Sequence, residues 1–229
     1  MKIKVSGLRD GENIREVAAL GVDWIGMVFR EGSPRNVTMI PTHAGIIPDR
    51  APAAPSPLPA GRPAPQRVGV FTDEMAQNII TRVVNFRLNA VQLDGDETPT
   101  LIRNLRATLT NPSPGNGQAI APGLQVWKTI AIATAADLAR CRDYEDCCDA
   151  FVFTTPDSGD RHSDWSVLDG YCGPLPFLLS GGLYPGDTEA LHAFSHPRLA
   201  GIDLTTHFET APAMMDITRL STFLSALRH

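Results

Sequence analysis

Eight short apolar, largely β-branched runs recur along this chain, at 3–5, 24–29, 68–71, 90–93, 126–132, 151–153, 177–179 and 201–204. Most are continuously apolar rather than alternating, the pattern of parallel strands covered on both faces. Stretches of helical periodicity lie between them, at 12–20, 74–85, 99–109, 135–145, 187–194 and 215–227. Leu101, Leu105 and Leu109 recur every four residues, and Leu220, Phe223, Leu224 and Leu227 form an apolar stripe. Thr72-Asp73-Glu74 reads as a helix start. Strands alternating with helices in this way predict an α/β fold, a single (β/α)8 barrel over 1–229, with a doubly wound open sheet as the alternative. A chain of 229 residues suits one such domain.

One segment breaks the alternation. Residues 47–67, "IPDRAPAAPSPLPAGRPAPQR", stand where the helix after strand two belongs. Proline lacks the backbone donor and fixes φ, so neither a regular helix nor a central strand is expected there. The segment reads as an extended surface loop within the barrel domain.

The charge balance narrows the partners. The net charge is −5 and there is no long basic run, which argues against nucleic acid. No stretch approaches about 18 consecutive apolar residues, and no signal peptide is evident at the N-terminus. The four cysteines, Cys141, Cys147, Cys148 and Cys172, match no zinc spacing and read as free thiols in a reducing cytoplasm. Their spacing points to no metal site.

Chemistry in such a barrel sits at the C-terminal ends of the strands. Those ends carry Ser6-Gly7, "REGSPR" (30–35), "TDE" (72–74), "QLDGDE" (92–97), Lys128, "TTPDSGDRHSDW" (154–165), "LSGGL" (179–183) and "IDLTTHFE" (202–209). Two adjacent glycines let backbone amides approach an anion, and the following helix adds its positive end. The loops after strands seven and eight are the usual phosphate site of the fold. A phosphate among Gly181, Gly182, Thr205 and Thr206 is therefore expected.

The order of these motifs, from K-x-x-G-L-R-D through G-M-V-F…S-P-R, V-G-V-F, V-Q-L-D-G-D-E and L-S-G-G-L to G-I-D-L-T-T-x-F-E, resembles the phosphoribosylanthranilate isomerase family end to end. The resemblance implies a cofactor-free Amadori rearrangement in tryptophan biosynthesis. In that reaction an acid opens the furanose ring and a base removes the C2′ proton. It implies a small phosphorylated sugar-amine ligand, a monomer or homodimer, and substrate-binding positions at Arg35, Asp94, Gly181, Gly182, Asp203, Thr205 and Thr206. The same resemblance exposes a departure. Ser6 stands at the family's basic Cys and Thr154 at its acidic Asp, and Asp94 replaces the usual His. An unassisted serine hydroxyl is too weak a base, and threonine cannot act as an acid near neutrality. Asp157, Asp160 and His162 are candidate replacements, with Asp164 and His207 on the same rim. The expected function is an isomerase with a rewired or impaired acid–base pair, with a non-catalytic phosphosugar-binding protein as the alternative.

Overall fold

In the computed structural model, the described residues are 1–38, 63–112, 115, 117–156 and 164–228. Each apolar run forms a strand: β1 (Lys2–Ser6), β2 (Trp24–Val28), β3 (Gln66–Phe71), β4 (Ala90–Leu93), β5 (Gln125–Ala131), β6 (Ala150–Thr154), β7 (Phe177–Ser180) and β8 (Leu199–Leu204). Neighbours in sequence pair in parallel. β8 returns to β1 with Lys4 opposite Asp203, so the sheet closes into an eight-stranded barrel. The open-sheet alternative is excluded by that last pairing.

Helices α1 (Gly11–Ala19), α2 (Ala76–Phe86), α3 (Pro99–Thr110), α4 (Thr188–Ala193) and α5 (Ile217–Arg228) pack outside. The main core lies between them and the barrel, with Ile14, Val17, Ile79, Ile102, Leu105, Leu220 and Phe223 facing inward. Inside the barrel, Trp24, Val68, Ala90, Trp127, Ala150, Val152 and Leu178 make a separate apolar plug toward the N-terminal ends of the strands. Trp24 and Trp127 meet edge to face there, with ring centroids 5.2 Å apart. That plug closes one end of the barrel and leaves the polar inward positions at the other.

Several local details differ from expectation. α2 begins at Ala76, not at Thr72-Asp73. Asp73 adopts φ 51° and its carboxylate accepts from the Asp96 amide at 2.6 Å, so it ties two loops together instead of capping a helix. Residues 135–143 wind as a 3₁₀ helix after β5, and Trp165–Gly170 forms a second one after β6. Of the proline-rich stretch, 47–62 lies outside the described residues, whereas Gln66 and Arg67 already belong to β3. After β8 a short antiparallel pair, β9 (Glu209–Ala211) and β10 (Met214–Met215), precedes α5.

Candidate active site

The C-terminal ends of the strands surround a cavity of about 550 Å³. Ser6, Arg35, Asp94, Thr154, Gly181, Gly182, Asp203, Thr205 and Thr206 all line it. Nine positions predicted from separate strand ends thus share one hollow. A larger hollow, about 710 Å³, lies at the opposite end of the barrel against Met1, Lys2, Asp23 and Trp24. That face serves stability in this fold rather than chemistry.

Gly181 and Gly182 both have positive φ, 73° and 54°, which turns the chain sharply after β7. A side chain at Gly181 would also meet the Thr155 carbonyl at 2.6 Å. The turns after β7 and β8, which carry Gly181, Gly182, Thr205 and Thr206, stand side by side on this wall of the cavity. His207, in the turn after β8, stacks on Tyr184 at 3.8 Å between centroids and clasps the β7 and β8 loops together.

On another wall, Arg35 follows the Ser-Pro turn and forms a bidentate pair with Glu209. The hydrogen bonds that Arg35 donates to Glu209 raise its pKa above the ordinary value, against the opposing effect of burial. Glu209 also accepts from the Ala213 amide at 3.0 Å. The hairpin carrying Glu209 is itself held by Asn13 of α1, which exchanges two hydrogen bonds with the Met215 backbone, at 2.8 and 3.0 Å. A path of side-chain contacts therefore runs from α1 to the guanidinium at the cavity.

The floor holds a cluster that sequence reasoning did not assemble. Asp203 Oδ1 accepts from Ser6 Oγ at 2.6 Å and Oδ2 accepts from Lys4 Nζ at 2.7 Å. Lys4 also donates to Ser6 Oγ. Lys4, Ser6 and Asp203 are 0%, 5% and 4% exposed. Strand alternation puts Lys4 and Ser6 on one face of β1, and the barrel pairing brings Asp203 opposite them. Gly26 of β2 leaves the space that the Ser6 side chain occupies. Nearby, buried Gln92 donates to Thr129 Oγ1 at 3.1 Å, while its Oε1 has no hydrogen-bond partner among the described residues and the side chain lines the cavity. A buried unsatisfied acceptor is costly, so a ligand donor suits that point.

Other candidates lie elsewhere. Lys128 does not line the cavity. It alternates to the outer face of β5 and binds Glu97 at 3.2 Å and the Leu93 and Gly95 carbonyls. Asp164 accepts from the Ser166 amide at 2.9 Å and caps the second 3₁₀ helix. Asp157, Asp160 and His162 lie outside the described residues. Lys4 and Glu209 were missed as site residues. Neither carried a signal that set it apart, Lys4 reading as a solvent-facing residue of an alternating strand and Glu209 as one more residue of the loop after β8.

No family model matches the chain. The N-(5′-phosphoribosyl)anthranilate isomerase of Parabacteroides distasonis is 36% identical over all of this chain and 94% of its own length. That of Phocaeicola vulgatus is 38% identical over all of this chain and 98% of its own. Among solved structures, the phosphoribosyl anthranilate isomerase of Thermotoga maritima superposes with a TM-score of 0.73 at 25% identity. It covers 100% of this chain and 98% of the other. The Thermus thermophilus enzyme gives the same score at 21% identity, with the same coverage, and supports the fold. With full-length relatives above a third identical, the chain belongs to the phosphoribosylanthranilate isomerase family.

Proposed function

We propose that this chain catalyses the isomerisation of N-(5′-phosphoribosyl)anthranilate to the corresponding ribulose-phosphate amine, the Amadori step of tryptophan biosynthesis. The observation that carries the reading is the shape of the rim. Amide-rich loops after β7 and β8 stand on one side of a single cavity, and Arg35, held by Glu209, stands on another. The loops suit a phosphate through backbone N–H groups. Arg35 offers a fixed cation to the anthranilate carboxylate. Asp94, with Gln92 beneath it, presents acceptors to the sugar hydroxyls between these ends. Positioning of this kind contributes to rate by holding the sugar carbon over the floor of the cavity.

The substituted proton-transfer positions favour a second reading, a phosphosugar-binding protein without turnover. Ser6 and Thr154 cannot by themselves serve as the base and acid. Complementation separates the two. Expression of the chain in a tryptophan auxotroph lacking the isomerase should restore growth on minimal medium. Failure to grow, with the soluble protein present and binding a phosphoribosyl amine, would favour the second reading. The oligomeric state under either reading, monomer or homodimer, is read from sedimentation.

A further inference from the structure

We propose that Asp203 is the proton acceptor of the rearrangement and that Ser6 relays the proton to it, the pair replacing a basic thiol. The inference rests on the isomerase reading above. Its geometric basis is the closed set of short contacts on the cavity floor. Ser6 Oγ faces the cavity and its proton points at Asp203 Oδ1, 2.6 Å away. An isolated hydroxyl cannot accept a proton from carbon, because the oxonium formed would be far too acidic. A hydroxyl hydrogen-bonded to a carboxylate can, if its own proton departs as the new one arrives. Lys4 balances the carboxylate charge from a position that water does not reach. It also fixes the orientation of both oxygens through its two hydrogen bonds.

The step balances without a further reagent. The C2′–H bond breaks and its electron pair forms the C1′–C2′ double bond. The electron pair of the protonated imine returns to nitrogen, giving the enolamine. The proton bonds to Ser6 Oγ while the Ser6 proton passes to Asp203 Oδ1. Ser6 is regenerated and Asp203 is left as the carboxylic acid, which returns its proton to solvent after the product leaves. Lys4 takes no part in the transfer and is a positioning residue.

The test places Asp203→Asn in two backgrounds. In the natural chain it should lower kcat by about 10²-fold or more, the scale of one lost proton-transfer group, with KM within about threefold. In a Ser6→Cys background the thiolate accepts the proton itself. There the same Asp203→Asn change should cost less than about tenfold. An equal loss in both backgrounds would mean that Asp203 serves binding or folding, and would overturn the relay. So would full activity of Asp203→Asn in the natural chain. Ser6→Ala supplies an independent arm should Asn fail to fold beside Lys4. It should lose about 10²-fold in kcat, and retention of more than a tenth of kcat would overturn the relay. Wild-type protein without turnover would overturn the isomerase reading and the relay together, whereas a turning-over wild type insensitive to these changes would overturn the relay alone.

Discussion

Glu97→Ala should be the most damaging single truncation in the loop that carries Asp94. The Glu97 and Lys128 side chains are each 1% exposed. Glu97 receives Lys128 at 3.2 Å, the Asp73 amide at 2.9 Å and the Gly95 amide at 3.1 Å. Removal leaves a buried ammonium without its counter-charge, which costs about 3–5 kcal/mol in comparable pairs. Two carbonyls still reach Lys128, from Gly95 at 2.6 Å and Leu93 at 3.1 Å, and they soften that loss. The two orphaned amides work the other way, at about 1–3 kcal/mol each before water enters. A net loss of about 4 kcal/mol results. For a domain of this size that corresponds to a Tm lower by about 8–16 °C. Thermal unfolding followed by circular dichroism measures it. Pairing Glu97→Leu with Lys128→Met should recover only the part of the loss that comes from the unpaired ammonium, because the Asp73 and Gly95 amides remain without Glu97. A loss below about 1 kcal/mol for Glu97→Ala would show that the pair does not hold the loop.

Three further outcomes follow from the geometry. Glu209→Gln removes the counter-charge that anchors Arg35; KM should rise about tenfold or more with kcat changed less, and an unchanged KM would detach Arg35 from substrate binding. Installing Ser6→Cys together with Thr154→Asp should raise kcat by about 10²-fold or more over the natural chain, with a gain greater than the product of the single changes; a fall in kcat would mean that the present pair is better matched to this cavity than the family's. Burial pushes the Cys141 thiol up to about 12 and raises that of Cys148 as well, whereas Cys172 is exposed. The folded state therefore keeps protons that the unfolded chain loses above about pH 9, and stability should fall as pH rises through that range. A thiol reagent at pH 8 should correspondingly label Cys172 rapidly and Cys141 and Cys148 only on unfolding.

The barrel was legible because burial on both faces leaves parallel strands as uninterrupted apolar runs, and 90–93 forms β4 at those same bounds. The helix expected at 135–145 forms over Ala135–Asp143, but as a 3₁₀ helix. The Asp137 carboxylate accepts from the Thr134 amide at 2.8 Å and fixes where the segment starts, and nothing in its sequence marks the 3₁₀ winding to Asp143. The nine positions named from separate strand ends line one cavity because motif order follows strand order. Sequence could not reveal Lys4, since a lysine in an alternating strand reads as solvent-facing, whereas the upper layers of a barrel interior can be polar. Lys128 erred in the opposite sense. Its place near a strand end suggested the rim, but strand parity turned it outward onto Glu97, and parity is fixed only once the register with β4 is known. Glu209 meets Arg35 across 174 residues through a hairpin whose position is set by Asn13, a contact without a local signature.

The most direct test of the account is the steady-state loss of phosphoribosylanthranilate fluorescence with purified protein. The account predicts enzyme-dependent, saturable turnover by the natural chain, competitively inhibited by inorganic phosphate and weakened in KM by Gly181→Ala. A natural chain that binds the phosphorylated substrate but leaves its fluorescence unchanged would contradict it.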